Sequence, residues 1–138
     1  VRRGLGVGGG RGRVVEPFAG SACLTLALAP ARGVLGESVA PLCDLYEQVR
    51  DRAGEVHDAL SALIRSGVGR RDYLRVRDCE GGDAVAESAR LLYLNRLGFG
   101  GVYRVNRKGR GNVAFAGEGA VSWPTAPHPE PARPDIGA

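Results

Sequence analysis

The sequence predicts an α/β fold in which a short sheet carries a helical region and a basic hairpin. Three observations point to it. Residues 14–28 read as a buried strand, a tight turn of small residues and a helix; residues 32–37 read as a second short strand ending in an acid; and helical periodicities over 41–97 give way to two β-like runs around Lys108-Gly109.

In the first unit, Val14 and Val15 supply strand character, and Pro17 ends the strand because it cannot donate to a central ladder. Gly20 is free to take the positive φ of a sharp turn. Ser21 is then placed to cap a helix whose Leu24 and Leu28 share one face. Such a turn aims backbone N–H groups over the carboxyl end of a strand, where open α/β sheets bind nucleotides; it also occurs as an ordinary connection.

In the second strand, Val34 and Leu35 are apolar and Glu37 closes it, 17 residues beyond Gly20. Sheets that bind adenosine-containing cofactors place a carboxylate on the ribose about 20 residues after the glycine turn. Glu37 has that spacing, and a plain solvated glutamate fits as well.

Leu42, Leu45, Tyr46 and Val49, then Val56, Leu60, Leu63 and Ile64, recur at helical intervals and predict scaffold helices over 41–52 and 53–66. Gly67 and Gly69 end the second, and Tyr73 and Val76 mark a short helical segment over 70–78. A further helix over 83–97 places Ala89, Leu92, Tyr93 and Leu97 on one face and stops at Gly98. Residues 102–106 and 112–115 then form the two arms of a hairpin. His57 reads as solvated, and His128 falls in the tail and carries no argument.

The 138 residues allow one domain at most. A net charge of +4, with arginine the dominant cation, only mildly favours an anionic partner. Its placement is more informative, since no acid lies between Glu87 and Glu118 while Arg90, Arg96, Arg104, Arg107, Lys108 and Arg110 all do. That asymmetry suits a phosphate-facing surface better than a solvated one. No apolar run approaches the ~18 residues of a membrane span and no signal peptide opens the chain, so cytoplasm is the expected location and no membrane partner is expected. Cys23, Cys43 and Cys79 are odd in number and set among apolar residues, which predicts buried thiols and no metal site. The chain contains no methionine, so either translation starts at an alternative codon or the true start lies upstream.

Two stretches carry a resemblance. Val15-Glu16-Pro17-Phe18-Ala19-Gly20-Ser21 resembles the cofactor loop of the Dam-type (D12 class) adenine-specific DNA methyltransferases. Leu92-Tyr93-Leu94-Asn95-Arg96-Leu97-Gly98-Phe99, with Tyr103-Arg104-Val105-Asn106-Arg107-Lys108-Gly109 and Asn112-Val113, resembles that family's approach to its DNA-recognition hairpin. The likeness spans roughly residues 14–115, in the family's order.

It implies a partial doubly wound class I S-adenosylmethionine-dependent methyltransferase domain with an inserted helical and β-hairpin DNA-recognition region. The division would be a flexible basic tail over 1–13, a cofactor-binding βαβα part over 14–52, a target-recognition region over 53–117 and a disordered proline-rich tail over 118–138. Glu16, Pro17, Phe18, Gly20 and Ser21 would form the S-adenosylmethionine loop, and Glu37 would take the cofactor ribose. Phe99 would meet double-stranded DNA near a flipped base and Arg104 would read a guanine. Arg96, Asn106, Arg107, Lys108, Arg110 and Asn112 would complete the DNA-binding set. The implied reaction moves a methyl group to the exocyclic amine of adenine, flipped out of the duplex because it is unreachable inside it.

In the family an Asp-Pro-Pro-Tyr motif after the hairpin activates that amine. These 138 residues contain no Pro-Pro pair, so no catalytic residue is assigned and the isolated chain is expected to be inactive. The open alternatives are a non-catalytic DNA-binding chain and one half of a split enzyme whose catalytic motif a second chain supplies. Smaller departures are Gly6 in place of a lysine, Ala22 in place of a second loop glycine, which would crowd the cofactor, Gly100 in place of an asparagine and Ala114 in place of a proline.

Overall fold

The structure, a computed structural model, describes residues 13–79 and 81–117. The tails predicted over 1–13 and 118–138 lie outside the described residues, except Arg13, which is not tail but the first residue of a strand.

Strand β1 (Arg13–Glu16) pairs in parallel with β2 (Arg32–Leu35), with Val15 opposite Val34 and Glu16 opposite Leu35. Helix α1 (Cys23–Leu28) crosses between them, as a parallel pair requires. The predicted cap is not where the sequence put it. Ala22, not Ser21, occupies the N-cap position, at φ 53° in the left-handed region, and has no side-chain acceptor of its own to cap the helix. The second strand stops at Leu35, and Gly36 and Glu37 belong to the turn that follows.

Among the described residues the sheet has only these two strands; α1 lies against one face, where Thr25 bonds Glu16, and the face that carries Val15 is open. Val15 is 57% exposed and Leu26 of α1 is 70% exposed. Cys23, predicted to be buried, is exposed for the same reason; Cys79, just past a helix end, is exposed too, and Cys43 is half-buried.

The main core lies in the helical region. Helix α2 (Ala40–Ser66) runs as two helical halves across a kink at Arg52, whose φ of −137° and ψ of 37° are not helical. The kink falls at the boundary predicted between two helices, with Gly54 close by to weaken the helix. Helix α3 (Arg70–Asp78) and helix α4 (Ala84–Leu97) pack against it, α4 opening on Asp83, whose carboxylate accepts from Ala86 N–H at 2.8 Å. Tyr73, Val76, Tyr93 and Leu97 form the buried cluster, with Leu60, Leu63, Ile64, Leu94 and Phe115 packed round it. His57 is solvated, as expected, beside Asp58.

Beyond α4 a 3₁₀ turn (Phe99–Gly101) leads into the hairpin. The two predicted strands do not form; single antiparallel bridges join Val105 to Gly111 and Gly98 to Phe115. Phe99 N–H to Ala114 O (2.8 Å) and Ala116 N–H to Leu97 O (2.9 Å) fasten the returning arm to the end of α4.

Candidate cofactor loop and nucleic-acid interface

The loop after β1 is held from three sides. Glu16 turns its carboxylate back to α1, where Oε2 accepts from Thr25 N–H at 3.1 Å and Thr25 Oγ1–H at 2.6 Å. The main chain of the loop is tied to the end of β2 by Ala19 N–H to Gly36 O and Gly36 N–H to Glu16 O, both 2.8 Å. Gly36 must be glycine here, because a Cβ would stand 2.6 Å from the Pro17 carbonyl oxygen. Gly20 takes the predicted positive φ, 52°.

Glu37 closes the arrangement. Its Oε2 accepts from Gly20 N–H at 3.0 Å, and its Oε1 accepts from Ser38 N–H at 2.7 Å and Val39 N–H at 2.9 Å. Those backbone donors, Val39 first, hold its carboxyl below the ordinary carboxylate value. The phenol of Tyr46, reaching over from α2, donates to the Gly20 carbonyl. Burial and the nearby Glu37 and Glu16 carboxylates push that phenol up, so it stays a donor.

Pro17, Phe18, Gly20, Glu37 and Ser38 line an open depression of about 430 Å³ at the carboxyl ends of the two strands. Phe18 stands 92% exposed over it. Ser21 is turned aside, its hydroxyl against Cys23 Sγ at 3.0 Å. Ala22 is buried and is not among the residues that line this depression. Sequence reasoning missed Gly36 and Tyr46; a glycine directly before the strand-ending acid was the available signal.

The second group of predicted residues sits on the last turn of α4 and the hairpin. Arg96, Phe99, Arg104, Asn106, Arg107, Lys108 and Arg110 are all exposed, and Asn112 is half-buried. Asn106 builds the tip. Its Oδ1 accepts from Lys108 N–H (2.8 Å) and Arg110 N–H (3.1 Å), so only its amide group is left to meet a partner. Arg90, counted with this basic run from sequence, is not part of it. It is paired with Glu87 at 2.8 Å and directed to the Arg77 carbonyl.

On the α3 side the hairpin is held through one carbonyl. Val113 O accepts from Tyr73 Oη–H at 3.0 Å and from Arg77 Nη1–H at 3.5 Å, both on α3. A cavity of about 350 Å³ separates the rest of the hairpin from α4, with Arg77, Glu87, Leu91, Leu94, Arg104 and Val113 in its walls.

The model of the D12 class N6 adenine-specific DNA methyltransferases matches residues 7–118. The chain belongs to this family. Among curated relatives it is 32% identical over 107 residues to a type II methyltransferase of Lactococcus lactis subsp. cremoris, covering 72% of this chain and 37% of the relative. It is 30% identical over 120 residues to a DNA adenine methylase of Vibrio cholerae, covering 85% of this chain and 42% of that protein. A DNA adenine methylase of Salmonella typhi is 31% identical over 107 residues, 74% of this chain and 38% of the relative. The chain thus spans about two fifths of the length of the curated relatives it matches. No helix of the described residues is long and apolar enough to cross a membrane.

Proposed function

We propose that this D12 family chain binds S-adenosylmethionine on the 16–20 loop and duplex DNA through the 96–112 region, as part of an adenine-specific DNA methyltransferase. The carrying observation is the Glu37–Gly20 bond, which puts a carboxylate beside a glycine turn at the carboxyl ends of two parallel strands.

The residues present suit the cofactor. Oε2 of Glu37 has one backbone donor and retains a lone pair for a ribose hydroxyl, while Phe18 offers an uncommitted aromatic face for a purine. When bound, S-adenosylmethionine would supply an electrophilic sulfonium methyl. On the DNA side, Arg107 and Lys108 meet phosphates, Arg104 reads a guanine edge, and Phe99 supports the gap left by a flipped adenine.

The 138-residue chain transfers no methyl by itself in this reading, because its sequence offers no Asp-Pro-Pro-Tyr carboxylate to accept the amine's hydrogens. Incubation with S-adenosylmethionine and unmethylated duplex, followed by nucleoside analysis, should give N6-methyladenine no higher than a protein-free blank. Methylation above it would overturn the inactivity. A duplex affinity that ignores salt, or no affinity, would remove the DNA-binding part.

A second reading is one half of a split enzyme. The uncovered Val15, Leu24, Leu26 and Val34 side chains favour it, since a further polypeptide could bury them. Co-expression with the neighbouring reading frame restoring methylation would decide for it.

A further inference from the structure

We infer that Asn112 is a positioning residue for Arg104, fixing which of its N–H groups are offered to a guanine. The inference rests on the proposed reading that Arg104 meets a base edge.

Arg104 and Asn112 are joined twice. Arg104 Nε–H donates to Asn112 Oδ1 at 2.9 Å, and Asn112 N–H donates to Arg104 O at 3.2 Å. The next residue, Val113, is the one that α3 grips through Tyr73 and Arg77, and Tyr73 is 1% exposed. The returning arm is therefore the anchored one, and Asn112 passes its position to a side chain on an arm that otherwise borders open space.

The chemistry follows from the guanidinium fork. An arginine can grip guanine O6 and N7 side-on, through Nε and one Nη, or end-on, through both Nη groups. Asn112 occupies Nε, while Nη1 and Nη2 make no hydrogen bond within the described residues. Only the end-on grip remains, held in one plane before DNA arrives.

The test exposes the 138-residue protein to short duplexes of randomised sequence and sequences the bound fraction, alongside Arg104→Ala, Asn112→Ala and Asn112→Asp. The unaltered chain should enrich a guanine at one position by roughly tenfold. Asn112→Ala should lose most of that enrichment at the same position as Arg104→Ala, with other positions unchanged. Asn112→Asp keeps the acceptor oxygen, so it should retain the enrichment while its added charge lowers total binding. A guanine preference that survives Asn112→Ala, or a loss spread over all positions, overturns the inference. Duplex binding by the unaltered chain with no guanine preference overturns it too and leaves the DNA-binding reading standing, whereas no duplex binding removes both. An arm free of DNA and of affinity is the Arg104 Nε–H resonance. It should exchange with water more slowly than that of Arg107, lose this protection in Asn112→Ala and keep it in Asn112→Asp; equal exchange for Arg104 and Arg107 sinks the proposal.

Discussion

The main-chain N–H of Gly20 donates to Oε2 of Glu37 at 3.0 Å, joining the loop after β1 to the turn after β2. The other carboxylate oxygen of Glu37 receives the N–H groups of Ser38 and Val39 at the start of α2. One side chain thus holds loop, strand end and helix start together. Glu37→Ala should weaken S-adenosylmethionine binding by about tenfold, since both the proposed ribose acceptor and the loop's tie are lost. Calorimetric titration reads this directly, and an unchanged Kd would remove Glu37 from the site.

The same carboxylate makes stability depend on pH. Its folded value is depressed, so its contribution is present above the unfolded carboxylate value, about 4.3, and is lost as pH falls through the lower folded value. The thermal midpoint of the unaltered protein should therefore drop more steeply between about pH 5 and about pH 3 than that of Glu37→Gln. Parallel curves for the two proteins would contradict the assignment.

Ala22 sits at φ 53°, a conformation that costs a non-glycine residue roughly 1–2 kcal/mol. Ala22→Gly relieves that strain but gives up a buried methyl, about 0.8 kcal/mol, and adds unfolded-chain freedom of about 0.4–1 kcal/mol. The two sides nearly cancel, so the substitution should change stability by less than about 1 kcal/mol. Ala22→Val, branched at Cβ in the left-handed region, should destabilise by about 2 kcal/mol or more. Denaturant unfolding of the pair distinguishes a strained backbone from a merely crowded pocket, for which both would alter cofactor affinity instead.

Two core phenols carry bonds of different consequence. Tyr93 donates to the Gly67 carbonyl at 2.8 Å at the end of α2, and Tyr73 donates to Val113 O, which keeps Arg77 as a second donor. Tyr93→Phe and Tyr73→Phe should each cost about 1 kcal/mol, but only Tyr73→Phe should loosen the hairpin and speed amide exchange at residues 113–116. Burial raises both phenols, so their stabilisation holds below an unfolded value of about 10 and fades as pH rises through the folded value. Each phenylalanine variant should flatten that alkaline decline.

The helical region was legible because its signals are local. Apolar residues at 3.6-residue spacing, Asp83 at one helix start and glycines 67 and 98 at two ends place α2 to α4 within a residue or two. The loop was legible as a turn, yet not in its bonding, because nothing in the spacing of Glu37 says that its carboxylate would fold back on Gly20, Ser38 and Val39. Ser21 has the right chemistry for a cap and the wrong backbone, since the chain enters α1 through Ala22. The hairpin's β-like runs failed for a physical reason: 99–111 is exposed throughout and interrupted by glycines 100, 101, 109 and 111, so neither arm has a packed face to stabilise a ladder. The thiols misled because apolar neighbours imply burial only when another layer covers them.

The hairpin tip provides the prediction with the clearest slope. Each phosphate neutralised by a cation steepens the fall of log affinity with log salt by about 0.9. Arg107→Ala and Lys108→Ala should each flatten that line by about 0.9, while Arg90→Ala should leave it unchanged because Arg90 is spent on Glu87. Asn106→Ala should lower affinity by more than the loss of one neutral contact, since Asn106 Oδ1 holds the N–H groups of Lys108 and Arg110 and so shapes the turn that presents both cations. Fluorescence anisotropy of labelled duplex across a salt series measures all four. If the Arg107→Ala and Lys108→Ala lines run parallel to the unaltered protein's, the tip does not touch phosphate, and the DNA surface must lie with Arg96 and Arg104 nearer the end of α4.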